Sequence, residues 1–228
     1  MSPEHSLELA KLVKSIQPNC LVSGRIGNEF GDYMSTGDNK IPYLPYYGDW
    51  EVPATLNDTW GYKYFDDNWK SPKELVKLLV KINSRGGNYL LNVGPDARGI
   101  IPKPSVDILK QVGRWISANG ESIYATRPVP VMPYETEWGM FTYKPGKLFM
   151  HVFDWKLNLN IHCLANKIVR AYIMQTGEEI EFTQTYGSAS KQHRVIFQLP
   201  ETQPDLLDTV ICIETEEDDV ILDSLDTI

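Results

Sequence analysis

The hydrophobic pattern of this chain changes its period once, near Pro128. Before that point helical stripes alternate with short apolar runs. Leu9, Leu12, Val13 and Ile16 fall at i, i+3, i+4 and i+7, the stripe of an amphipathic helix that must stop before Pro18. Cys20-Leu21-Val22-Ser23 follows at once, a run of the kind that buried parallel strands use. The same order recurs. Ser71-Pro72-Lys73-Glu74 is a capping box with proline at the first helical position, and Leu75, Leu78, Leu79 and Ile82 supply its apolar stripe. Gly86-Gly87 ends that helix, residues 88–93 read as a second buried strand, and Val106, Leu109, Val112 and Ile116 stripe a third helix closed by Asn119-Gly120. Strands alternating with helices imply a parallel α/β architecture.

Beyond the change, only short β-branched and aromatic runs remain. Pro128, Pro130 and Pro133 form a stiff connector, because proline fixes its own φ and pushes the preceding residue to extended shapes. Seven runs then follow, at 139–143, 147–155, 159–164, 168–174, 179–183, 194–199 and 209–214, parted by turn pairs such as Pro145-Gly146, Thr176-Gly177 and Gly187-Ser188. That spacing is expected of a small antiparallel β-sandwich. The fold class expected is therefore α/β then all-β, with domains at 1–127 and 128–228, and a tail from 214 to 228 that begins acidic and frays. The α/β part has neither G-x-G-x-x-G nor G-x-x-x-x-G-K-[ST], so a nucleotide-binding sheet is disfavoured. The second half of a (β/α)8-like barrel fits better, with its chemistry on the loops after each strand.

Charge and cysteine usage remove several classes of function. Asp and Glu number 30 against 22 Lys and Arg, and no stretch gathers the basic residues as nucleic-acid binding needs, so no nucleic-acid partner is expected. No apolar run approaches the ~20 residues of a membrane helix, and the first residues lack the layout of a signal peptide, so no membrane partner is expected either. Cys20, Cys163 and Cys212 are too few and scattered for a disulfide framework and read as buried thiols. His5, His151, His162 and His193 show no metal-ligand spacing, and no metal or other cofactor is expected.

The loops carry the chemistry. Gly24-Arg25-Ile26-Gly27-Asn28-Glu29-Phe30-Gly31-Asp32-Tyr33 sets three glycines around an arginine and two carboxylates, which suits an open loop over a site. Gly48-Asp49-Trp50-Glu51 leads into the apolar residues 52–56, and Asn57-Asp58-Thr59-Trp60-Gly61-Tyr62 follows. Carboxylates interleaved with indoles and phenols are what a sugar site needs: aromatic faces pack on the C–H side of the ring, and carboxylates do acid and base work. Trp50 and Trp60 are thus candidate sugar contacts; taken singly, each of these residues could equally be core or a solvated loop charge.

Taken together, Gly48-Asp49-Trp50-Glu51, Asn57-Asp58-Thr59-Trp60-Gly61-Tyr62, the run Gly86-Gly87-Asn88-Tyr89-Leu90-Leu91-Asn92-Val93-Gly94-Pro95 and Asn119-Gly120-Glu121-Ser122-Ile123-Tyr124 closely resemble the α-L-fucosidases of glycoside hydrolase family 29. The resemblance runs from about Leu7 to Pro128 with its spacing intact. It implies the C-terminal part of a retaining, exo-acting enzyme that releases terminal L-fucose from glycans, of a kind commonly exported to the periplasm, the lysosome or the exterior. It also implies that the nucleophile aspartate lies upstream of this chain, so that the chain needs a missing N-terminal barrel half as partner and is inactive alone.

The resemblance places Arg25 as a fucose-binding guanidinium and Trp60 against the C6 methyl of fucose. For the acid/base it implies Glu29, by likeness to one branch of the family; in the other branch the glutamate lies later, where this chain offers Asp32 or Asp38, and Glu51 is a third candidate. Two other functions compete: a non-catalytic carbohydrate-binding or scaffold fragment, and a barrel glycosidase acting on another sugar.

Overall fold

The chain is described from a computed structural model that covers residues 1–43, 46, 48–130 and 136–223. Pro133 of the expected connector and residues 224–228 of the expected fraying tail lie outside the described residues. Two compact units appear, one formed by Met1–Trp69 with Arg85–Ser105, the other by Lys70–Ser84 with Val106–Ile228.

In the first unit, helix α1 (Pro3–Ile16) starts where the Ser2 side chain accepts the His5 N–H and Pro3 fits the first turn. A short 3-10 turn, Gly24–Ile26, precedes strands β1 (Met34–Ser35), β2 (Trp50–Thr55) and β3 (Asn88–Asn92). These three form one parallel sheet in the order β1-β2-β3. The buried strand expected at Cys20–Ser23 does not form; only a parallel bridge between Ser23 and Tyr33 remains, and Leu21 is exposed. Side chains have taken its backbone groups: Lys14 Nζ donates to the Cys20 carbonyl at 2.7 Å, and Asp32 Oδ2 accepts the Val22 N–H at 2.7 Å. Cys20 is accordingly half-buried rather than buried.

In the second unit, α2 (Pro72–Asn83) carries the complete capping box read from sequence: Ser71 accepts the Glu74 N–H and Glu74 accepts the Ser71 N–H. Helix α3 (Lys103–Asn119) begins in the first unit and runs on into the second. The seven expected strands are seven strands: β4 (Gly139–Lys144), β5 (Lys147–Val152), β6 (Asn158–His162), β7 (Ile168–Ile173), β8 (Glu181–Gly187), β9 (Gln192–Gln198) and β10 (Thr209–Thr215). They make two antiparallel sheets, β4-β5-β10-β7 and β6-β9-β8, around a shared core that includes Phe141, Met150, Leu159, Val195, Phe197 and Ile211. Strand β8 lies later than the run at 179–183, because pairing with β9 holds it out to Gly187 opposite Gln192 although half its residues are polar. Cys163, just past β6 at φ 66°, is half-buried and not buried as expected; Cys212 in β10 is buried.

A polar chain runs through this apolar unit. Thr142 donates to the Ser122 carbonyl at 2.7 Å, which leaves its oxygen to accept from His151 Nε2 at 3.3 Å. His151 Nδ1 meets Asp208 Oδ2 at 2.7 Å, and Trp115 of α3 donates to the Asp208 carbonyl at 2.9 Å. All of these side chains are buried, and the pairing offsets much of the cost of burying them, although Asp208 Oδ1 is left buried without a hydrogen-bond partner among the described residues.

Candidate active site

Strand alternation decides which residues of β2 face the same way. Trp50, Val52 and Ala54 are buried, while Glu51 and Pro53 point to the opposite face. Parallel pairing sets Ser35 beside Glu51 on one side and Leu90 beside Pro53 on the other. The result is a cleft of about 330 Å³ lined by Arg25, Ser35, Asp38, Glu51, Pro53, Trp60 and Leu90. Four of the residues singled out from sequence therefore meet in one place.

Arg25 is fixed from three directions. Its Nε donates to Ser35 Oγ at 3.0 Å, its Nη2 donates to the Thr36 carbonyl at 3.3 Å, and the same Nη2 pairs with Asp38 Oδ1. The loop that carries Asp38 is anchored in turn, because Asn39, at φ 57°, donates its N–H to the Pro53 carbonyl at 2.8 Å and accepts the Thr55 N–H at 3.2 Å. Glu51 is half-buried and has no ion-pair partner among the described residues. Trp60 keeps 40% of its surface exposed, and Asn92 of β3 holds its carbonyl at 2.6 Å. Gly94 lets that loop approach: a Cβ there would stand 2.8 Å from the Gly61 carbonyl carbon and 2.9 Å from the Tyr62 nitrogen.

The remaining candidates lie elsewhere. Trp50 is fully buried, its ring packed so closely on Gly87 that a Cβ at that glycine would come within 2.5 Å of it. Glu29 is exposed on a left-handed turn at φ 62°, beside an Asn28 whose side chain donates to Ser6 Oγ at 2.8 Å, and it is not among the residues lining the cleft. Asp32 pairs with Lys14 at 2.8 Å, and that hydrogen bond, with the one from the Val22 N–H, holds its carboxyl below the usual range. Sequence reasoning passed over Ser35, Pro53 and Leu90. Leu90 was not readable, because its strand reads as buried on both faces whereas Leu90 is 52% exposed, and only pairing with Pro53 brings it to the cleft. Among the described residues no group of three or more His, Cys, Asp or Glu could hold a metal ion, and no helix is long and apolar enough to cross a membrane.

Arg25 with its partner Asp38, the Glu51 carboxyl and the Trp60 indole thus line one cleft on a parallel sheet. The model of the α-L-fucosidase family matches residues 2–121, and the chain belongs to that family. An α-L-fucosidase of Dictyostelium discoideum is 34% identical over 148 residues, covering 61% of this chain and 32% of that protein. The solved α-L-fucosidase isoenzyme 1 of Paenibacillus thiaminolyticus superposes with a TM-score of 0.84 at 32% identity, over 93% of this chain and 54% of its own. The α-L-fucosidase of Vibrio sp. strain EJY3 gives 0.85 at 30% identity, over 93% of this chain and 39% of its own. The chain thus spans about a third of that curated relative and about half or less of these solved ones.

Proposed function

We propose that this chain is the C-terminal part of a retaining, exo-acting α-L-fucosidase that hydrolyses terminal L-fucose from glycans. Residues 1–127 are the second half of a (β/α)8-like barrel and 128–228 a sandwich domain, and the first barrel half, with the nucleophile aspartate, comes from a preceding segment. The observation that carries this reading is the meeting of Arg25, Asp38, Glu51 and Trp60 in one cleft within the region matched to the family.

A retaining mechanism needs two carboxyl groups about 5 Å apart, one to form the glycosyl-enzyme and one to protonate the leaving oxygen and then activate water. Arg25 supplies charge-assisted hydrogen bonds to the sugar oxygens. Asp38, paired with Arg25, orients the guanidinium. Trp60 offers a ring edge or face to the methyl side of fucose. Glu51, lining the cleft without a counterion, takes the acid/base role; Glu29, favoured by sequence likeness, is the competitor. The 228-residue chain assayed alone against an aryl α-L-fucoside should show no turnover, while the full-length gene product should turn it over on the order of once per second or faster. Such turnover by the chain alone would put the nucleophile within these residues, and inactivity of the full-length product would remove the fucosidase reading.

A further inference from the structure

The hold on Arg25 begins in the backbone. Strand β1 is two residues long, and hydrogen bonds to β2 stand on both sides of Ser35: the Met34 N–H donates to the Asp49 carbonyl at 2.9 Å and the Thr36 N–H to the Glu51 carbonyl at 3.0 Å. Parallel register sets Ser35 beside Glu51, on the face that lines the cleft. The turn that carries Arg25 is tied to the same region, because the Gly24 N–H donates to the Tyr33 carbonyl at 2.7 Å. Serine and arginine, ten positions apart in the chain, are thus brought within hydrogen-bond reach by backbone pairing.

A guanidinium carries five N–H donors in a planar fork. In Arg25 the single Nε donor goes to Ser35 Oγ, and Nη2 is committed to the Thr36 carbonyl and to Asp38. What the group has left to give a ligand is the pair of N–H on Nη1. Thr36 and Asp38 both act on one nitrogen, and a plane held at one nitrogen can still swing about it. Ser35 is the second point of attachment. Held at Nε and Nη2 together, the plane keeps one orientation, although the side chain on its long stem stays half exposed.

We infer that Ser35 is a positioning residue of the active site: its hydroxyl sets the plane of the Arg25 guanidinium, so that Nη1 meets the sugar oxygens already oriented and little ordering is left to the moment of binding. This rests on the fucosidase reading above and deepens it.

The test is a double-mutant cycle in the full-length gene product, read as kcat/KM on an aryl α-L-fucoside. With Arg25 present, Ser35→Ala should lower kcat/KM about 3- to 20-fold. In an Arg25→Ala background the same substitution should shift it by less than about 2-fold, since no guanidinium remains to be oriented. Ser35→Cys, close to serine in size and weak as an acceptor, should lose as much as Ser35→Ala, and it carries the cycle if the alanine variant does not fold. Equal losses with and without Arg25, or wild-type kinetics in either Ser35→Ala or Ser35→Cys, would overturn the assignment, because Ser35 would then act by packing, independently of Arg25, or not at all. A wild-type full-length product inactive on the fucoside would instead remove the fucosidase reading, and the role of Ser35 with it.

Discussion

At the scale of single residues, the fucosidase proposed above turns on which carboxyl group moves the proton. Chain likeness favours Glu29, and position favours Glu51, because Glu51 alternates with buried Trp50 along β2 and so must face the cleft. General-acid help counts most when the leaving group is poor, so removal of the true acid should slow a fucosyl oligosaccharide far more than an aryl fucoside. In the full-length enzyme Glu51→Ala should show that selective loss, and azide should restore turnover by replacing water in the second step and yield a β-fucosyl azide. Glu29→Ala, exposed on its turn, should alter neither rate strongly. If Glu29→Ala shows the leaving-group dependence and azide rescue while Glu51→Ala does not, the roles must be exchanged. Arg25, Trp60, Asp38 and Glu51 were all legible as chemistry-bearing residue types. Their meeting was not, since residues 26 positions apart in the chain, Arg25 and Glu51, become neighbours only through parallel pairing of β1 with β2.

At the scale of elements, local rules served well where the signals were local. The helices α1, α2 and α3 stand where apolar stripes and caps put them, because capping and i, i+4 packing depend on residues within a few positions. The capping box of α2 gives a direct check. The Ser71 N–H and hydroxyl hold the Glu74 carboxyl below its usual range. A depressed carboxyl pKa contributes stability that is present above the ordinary value of about 4.3 and is lost as pH falls through the folded value. Ser71→Ala should cost about 1 kcal/mol near neutral pH, read by denaturant unfolding, and the gap to wild type should narrow as the pH drops below 4. A gap that stays constant down to pH 3 would show that the carboxylate takes no part in the cap. The segment 20–23 marks the limit of local reading. Its apolar pattern is that of a buried strand, yet its backbone groups go to Lys14 and Asp32, residues brought near it by tertiary contact.

At the scale of the whole molecule, the buried pair His151 and Asp208 joins sheet to loop inside the second unit, and Trp115 ties α3 to the same point. Burial pushes the Asp208 carboxyl above the ordinary range, while the charge of His151 and its hydrogen bond oppose that push. A carboxyl raised on folding contributes stability that is complete below the unfolded value of about 3.9 and is lost as pH rises through the folded one. His151→Phe removes the opposing partner, so the folded value should climb further. The variant should lose about 3 kcal/mol near pH 7, and its unfolding free energy should recover toward pH 5, read by denaturant titration at the two pH values. A loss of equal size at both would mean that packing alone accounts for it.

What the amino-acid order determined by itself is the three helices, the strand β3 and the change from alternating helix and strand to strands alone, for those rest on periodicity and caps acting over a few residues. It also determined the family, because runs such as residues 86–95 are long enough to be specific without any fold. Only the tertiary structure decided that Trp50 packs into the core against Gly87 while Glu51 beside it opens to the cleft, and that Arg25 is held by Ser35, Thr36 and Asp38. Facing is set by pairing register, and a register shift of one residue would exchange every such pair; no short stretch of sequence contains that information.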